Sequence, residues 1–155
     1  MPETRFDTPG THTFTCPAGV AKVTINVIGA GGGGADGADS RAGGGGGSGG
    51  QARLTLGMVS GQTLTCIVGA GGKQSAAGRK SECLVPGTSL SISAQGGHGA
   101  SGTNAGKGQQ GICDQPGARV YTGGDGGLGG ATSTAGGGGG GGACPPNTDG
   151  ADGPA

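Results

Sequence analysis

Along the first third of the chain, apolar and polar residues alternate with a period of two. In THTFTC, residues 11–16, His12, Phe14 and Cys16 share one face and Thr11, Thr13 and Thr15 the other. Strict alternation rich in threonine predicts a half-buried strand. Pro17-Ala18-Gly19 marks a turn. KVTINVI, residues 22–28, comes next, with Val23, Ile25 and Val27 together. QARLTLG, residues 51–57, places Ala52, Leu54 and Leu56 inward, and residues 62–68 do the same with Leu64, Cys66 and Val68. A weaker fifth strand, residues 88–94, pairs Leu90 with Ile92. No window has helical periodicity. The pattern predicts a single all-β domain over residues 1–155: a sandwich-like antiparallel framework without significant α-helix.

Between the strands lie glycine tracts at 29–50, 95–111 and 123–142. They have a phase. Gly31, Gly34 and Gly37 are spaced by three, and Gly43, Gly46 and Gly49 continue the phase. Gly96, Gly99, Gly102, Gly108 and Gly111 form a second series, and Gly123, Gly126 and Gly129 a third. Three residues is the turn of a polyproline II helix, which makes no internal hydrogen bonds. Such helices must bond to one another if buried. The expectation is therefore packed glycine-rich polyproline II helices rather than a flexible linker. Collagen fits poorly, because strands interrupt the repeat and there are only 8 prolines.

Composition sharpens this. Of 155 residues 45 are glycine, and only 12% are charged, with a formal net charge of zero. Without a basic stripe to neutralise phosphates, nucleic-acid binding is not expected. No apolar run reaches the ~18 residues of a membrane span, so no membrane insertion is expected, and the first residues lack the pattern of a secretory signal. About ten inward strand residues are too few to offset backbone ordering alone. The balance must come from inter-helix hydrogen bonds, cross-links or partner chains.

Candidate chemistry is sparse. Residues 23–34 fit strand-then-G-x-G-x-x-G, but the residues after Gly34 cannot form the helix that a dinucleotide site requires. GAGGKQ at 69–74 fails as a phosphate loop. Gln74 replaces the magnesium-ligating hydroxyl, and Ile67 replaces the first glycine. His12 and His98 stand apart, without a carboxylate or cysteine at ligand spacing. Asp36, Asp39, Asp125, Asp149 and Asp152 lie in glycine tracts too sparsely for a calcium loop and read as solvated ridge positions. No catalytic residue, metal site or cofactor is expected, and the chain is read as a non-enzyme.

Cys16 and Cys66 occupy apolar strand positions and read as small buried hydrophobes. Cys83, Cys113 and Cys144 lie in loop or tract regions. They are the candidates for a disulfide that staples the glycine tracts or links subunits, with an odd thiol left over. Two segments break the glycine pattern with polar residues, 74–82 and 109–121. Arg79, Lys80, Arg119 and Tyr121 in them are the candidate partner contacts, because loops on rigid scaffolds usually carry binding.

The ordered series GTHTFTCPAGVAKVTINVIGAGGGG, GGGGGSGGQARLTLGMVSGQTLTCIVGAGG and GTSLSISAQGGHG resembles the glycine-rich domain of tail-fibre and related virion proteins of tailed bacteriophages. The matching motifs are P-x-G-V after the first strand, G-A-G-G-G-G after the second, G-Q-T, and V-G-A-G-G. A related architecture occurs in the glycine-rich domain of anaplastic-lymphoma-type receptor kinases. The resemblance implies a bacteriophage virion structural protein, a tail-fibre or tail-tip component with a role in host attachment, or else a capsid or collar decoration. It implies other virion proteins, copies of itself and a host-surface receptor as partners, and the virion as location after synthesis in the host cytoplasm. Such domains commonly close with an apolar strand after the last tract. This chain shows none there, so a partner strand or an open edge is expected. A rival class is an ice-binding glycine-helix protein, which predicts no β framework.

Overall fold

A computed structural model describes residues 3–37, 41–113, 115–130, 138, 140, 141 and 150–154. Among these, eight strands form two antiparallel sheets and there is no helix. The strands are β1 (Gly10–Thr15), β2 (Lys22–Ile28), β3 (Gln51–Gly57), β4 (Thr63–Val68), β5 (Ser81–Leu84), β6 (Ser91–Ala94), β7 (Gly111–Ile112) and β8 (Arg119–Tyr121). One sheet has the order β1-β4-β5-β6-β7, the other β2-β3-β8. β2 and β3 pack against β5 and β6.

The alternation in β1 to β4 is realised as burial. Ile25 and Val27 of β2, Ala52 and Leu54 of β3, and Leu64 and Cys66 of β4 enter one core with Cys83, Val85, Ile92 and Ala94. Between them Thr13, Thr24 and Thr55 face water, and Thr65 of β4 is half-buried. The fifth strand is shorter than its sequence pattern, beginning at Ser91, because Thr88 turns back to bond the Val85 carbonyl through its backbone N–H and its hydroxyl. β5, β7 and β8 carry too few alternating residues to be seen in the sequence.

The glycine tracts prolong the sheets with a changed period. β2 and β3 pair antiparallel, and bonds from Met58 N–H to the Ala21 carbonyl and from Gly29 N–H to the Gly50 carbonyl bracket that ladder. Beyond Gly29 the same two chain segments stay antiparallel, but the bonds recur every third residue: Gly29 to Gly50, Gly32 to Gly47, Ala35 to Gly44. This is the repeat of polyproline II. We call these segments rods.

Rod 41–50 is the centre of the lattice. It donates from Ala42, Gly45 and Ser48 to Gly130, Gly127 and Gly124, and from Gly44, Gly47 and Gly50 to Gly102, His98 and Gln95. It accepts from Gly32 and Ala35, from Gly106 and Gln109, and from Gly138 and Gly141. Residues 44–50 are all buried. Their burial is tolerable because each rod offers its backbone groups to different neighbours in turn.

The crowding shows why glycine is required, and where. A Cβ at Gly32 would land on the His98 carbonyl, one at Gly46 on the Gly32 carbonyl, and one at Gly47 on the Lys107 carbonyl. In rod 29–37 the phase differs from the one the sequence suggests. Gly29, Gly32, Gly33 and Gly37 are blocked and Gly34 is tight, so of the suggested series only Gly37 is fully closed, whereas a Cβ at Gly31 would stay 3.9 Å from the nearest atom. Most of the pure run 136–142 and the segment 38–40 lie outside the described residues.

The ladder register also identifies an edge. Odd-numbered residues of β2 turn their backbone groups to β3, as the bonds at Ala21 and Gly29 show. The backbone groups of Lys22, Thr24, Asn26 and Ile28 therefore face away, and no described strand pairs with them.

Candidate functional site

The predicted contact residues do not form one site. Arg79 is exposed, and its backbone is held inside the lattice: Arg79 N–H donates to the Ala70 carbonyl, and its own carbonyl accepts from Ala30. Lys80 Nζ donates to Glu82 Oε2 at 2.6 Å, so its charge is already matched at the start of β5. Arg119 and Tyr121 belong to the other sheet, on β8. The segment 109–121 is thus partly strand, β7 and β8, rather than one loop; the segment 74–82 likewise runs into β5.

The cysteines pair differently from the sequence expectation. Cys83 bonds to Cys66, its direct partner in the β4–β5 register, not to Cys113 or Cys144. The bridge joins two strands of one sheet and does not staple glycine tracts. Cys66 is buried, as expected of an inward strand position, but as half of a disulfide. Cys16 and Cys113 are free thiols; Cys144 lies outside the described residues.

Asp125 is no idle ridge residue. Its Oδ1 accepts from Gly108 N–H at 2.7 Å and its Oδ2 from Lys107 Nζ at 2.6 Å. The Lys107 hydrogen bond and the Gly108 N–H hold its carboxyl below the usual carboxylate range, and the Lys107 ammonium is held correspondingly high by its bond to Asp125. Asp152 Oδ1 accepts from Asp125 N–H, and Gly153 N–H donates to the Asp125 carbonyl, so the C-terminal residues dock onto rod 123–130. Asp39 and Asp149 fall outside the described residues. His12 is fixed by a 2.8 Å bond between its Nε2 and the Thr8 carbonyl, and by stacking on Phe6 at 4.7 Å. No group of three or more metal-ligating side chains occurs among the described residues.

The outer face of the three-stranded sheet is polar. In register across it stand Asn26, Arg53 and Arg119. Beside them Thr24 and Thr55 share a hydroxyl–hydroxyl bond of 2.8 Å, and Gln51 Nε2 donates to Asn26 Oδ1 at 2.7 Å. A cleft of about 380 Å³ is lined by Arg53, Leu54, Thr55, Gly117 and Arg119. Arg53 is the residue that sequence reasoning missed. The alternation of QARLTLG already puts it on the outer face, but its neighbour Arg119 becomes visible only once β8 is known to pair with β3.

Residues 7–155 match the sequence profile of a family described as a glycine-rich domain. Comparison with curated proteins and with solved structures finds no match. The profile spans both the strands and the rods, and the rods are glycine backbone packed on glycine backbone. The chain belongs to the glycine-rich domain family.

Proposed function

We propose that this chain is a non-enzymatic structural protein of a bacteriophage virion, a tail-fibre or tail-tip component that takes part in host attachment. The lattice around rod 41–50 is the observation that carries this reading. Backbone–backbone bonds that repeat along every rod make a stiff body from very little apolar surface. Stiffness without a large core suits a part that transmits force and displays polar surface outside a cell. The ordered motifs resembling phage virion domains point the same way.

Partners in this reading are other virion proteins and further copies of the chain. The edge of β2 supports them, since no described strand pairs with it and a strand edge with unpaired N–H and C=O groups is a template for a partner strand. The same edge favours the second reading, a capsid or collar decoration, in which the edge docks onto a shell. The ice-binding rival expects no β framework, and eight strands weigh against it.

Mass spectrometry and cryo-electron microscopy of purified virions test the proposal. The expected result is density for this fold at the tail end, in several copies. Density on the shell would favour decoration, and absence of the chain from purified particles would remove both virion readings.

A further inference from the structure

We propose that Arg53 and Arg119 form a binding site for the carboxylate of an acidic sugar. The two residues are direct partners on β3 and β8, and both are exposed. Directly opposed like charges destabilise a sheet. The described ion pairs are Arg5 with Asp7, Lys80 with Glu82 and Lys107 with Asp125, so none of them relieves this one. The fold therefore carries two exposed guanidinium side chains on directly paired residues, and an oxyanion would offset their like charge. Guanidinium forks match a carboxylate in geometry as well as charge.

The surroundings narrow the ligand. The open cleft that both arginines line, about 380 Å³, lies within the ~300–1,000 Å³ of small-molecule sites. Gly117, with φ of 80°, closes the turn before β8, and a side chain there would meet nothing within 4 Å, so the mouth is open. Thr55 lines the cleft and Thr24 is bonded to it. Their hydroxyls give and accept hydrogen bonds, as ring hydroxyls of a sugar require. A cationic pair beside neutral hydroxyls fits a sugar acid better than a dense polyanion, which would call for a wider basic surface.

The choice of a sugar rests on the attachment reading above; the oxyanion site itself does not. The test is an NMR titration of the full chain at low salt with trigalacturonate, neutral maltotriose and inorganic phosphate. Trigalacturonate should give saturable shifts of the Arg53 and Arg119 Nε–H signals and of the Thr55 and Gly117 amides. R53Q and R119Q should each weaken binding roughly 10- to 100-fold, the scale of losing one charged hydrogen-bond partner. Retained amide spectra would establish that both variants fold. Unmoved arginine signals, or an affinity unchanged in both variants, would overturn the site. Maltotriose binding as tightly as trigalacturonate would do the same. Phosphate binding at least as tightly as trigalacturonate would overturn the assignment to a sugar acid. A silent titration with the protein present in virions removes the site and leaves the attachment reading; the converse removes the reading and leaves the site.

Discussion

Cys66 and Cys83 face each other across β4 and β5 with their Cα atoms 4.1 Å apart and their sulfurs joined. The same row of the sheet continues to His12 on β1 and Ile92 on β6. The bridge thus sits in the middle of the larger sheet, against the shared core.

Closing the loop between residues 17 apart should contribute about 3 kcal/mol through restriction of the unfolded chain. Unfolding in denaturant with and without reductant measures it, and the double variant C66S/C83S should match the reduced protein. Non-reducing digestion should yield one linked pair of peptides containing Cys66 and Cys83. Recovery of Cys83 bonded to Cys113 would contradict the fold.

The rods predict two opposite outcomes for one kind of substitution. G47A places a methyl group on the Lys107 carbonyl at the centre of the lattice. Backbone cannot move aside there, so the loss should exceed about 3 kcal/mol, beyond the usual range for single changes. G31A meets no atom closer than 3.9 Å and should be neutral or stabilising by up to about 1 kcal/mol, through the unfolded state. Thermal melts of the pair decide, and equal destabilisation would refute the packing described.

Asp125 gives a pH signature. Its folded carboxyl titrates below the unfolded one, so its contribution is full above the ordinary carboxylate range and is lost as pH falls through the folded value. Lys107 titrates higher when folded, so its share is present below the ordinary lysine range and lost as pH rises through the folded value. D125A should therefore cost about 1–2 kcal/mol near neutrality, chiefly from the bond to Gly108 N–H. The ion pair adds little, because the Lys107 side chain is 71% exposed. The gap between wild type and variant should close below the ordinary carboxylate range.

The arginine pair should be a stability cost in the absence of ligand. R119Q removes one of two opposed charges, so it should raise stability by about 0.2–1 kcal/mol at low salt, an advantage that shrinks as salt screens the pair. Loss of stability in R119Q would mean that an acid partners Arg119.

Much of this fold was legible in the sequence for a physical reason. Long alternating strands such as VTINV carry the burial pattern in their own residues, and the period of three in the tracts reflects which backbones meet. β7 and β8 were not legible. They hold only two and three residues, and their pairing depends on where the rods deliver the chain. The tight positions Gly29 and Gly32 were hidden for a related reason. Gly31 to Gly34 are all glycine, so the run fits any phase, and the blocked positions are set by the neighbours: Gln95 at Gly29, His98 at Gly32 and Lys73 at Gly33. Cys66 looked apolar because half of a buried disulfide and a buried thiol leave the same trace in an alternating strand.

The packing of rod 41–50 also fixes how the gene can change. Every missense mutation in a glycine codon adds at least a methyl group, and around this rod the space it would need is already held by carbonyl oxygens. Descendants of this gene can vary at the surface strands and turns, but at the centre they inherit glycine or lose the fold.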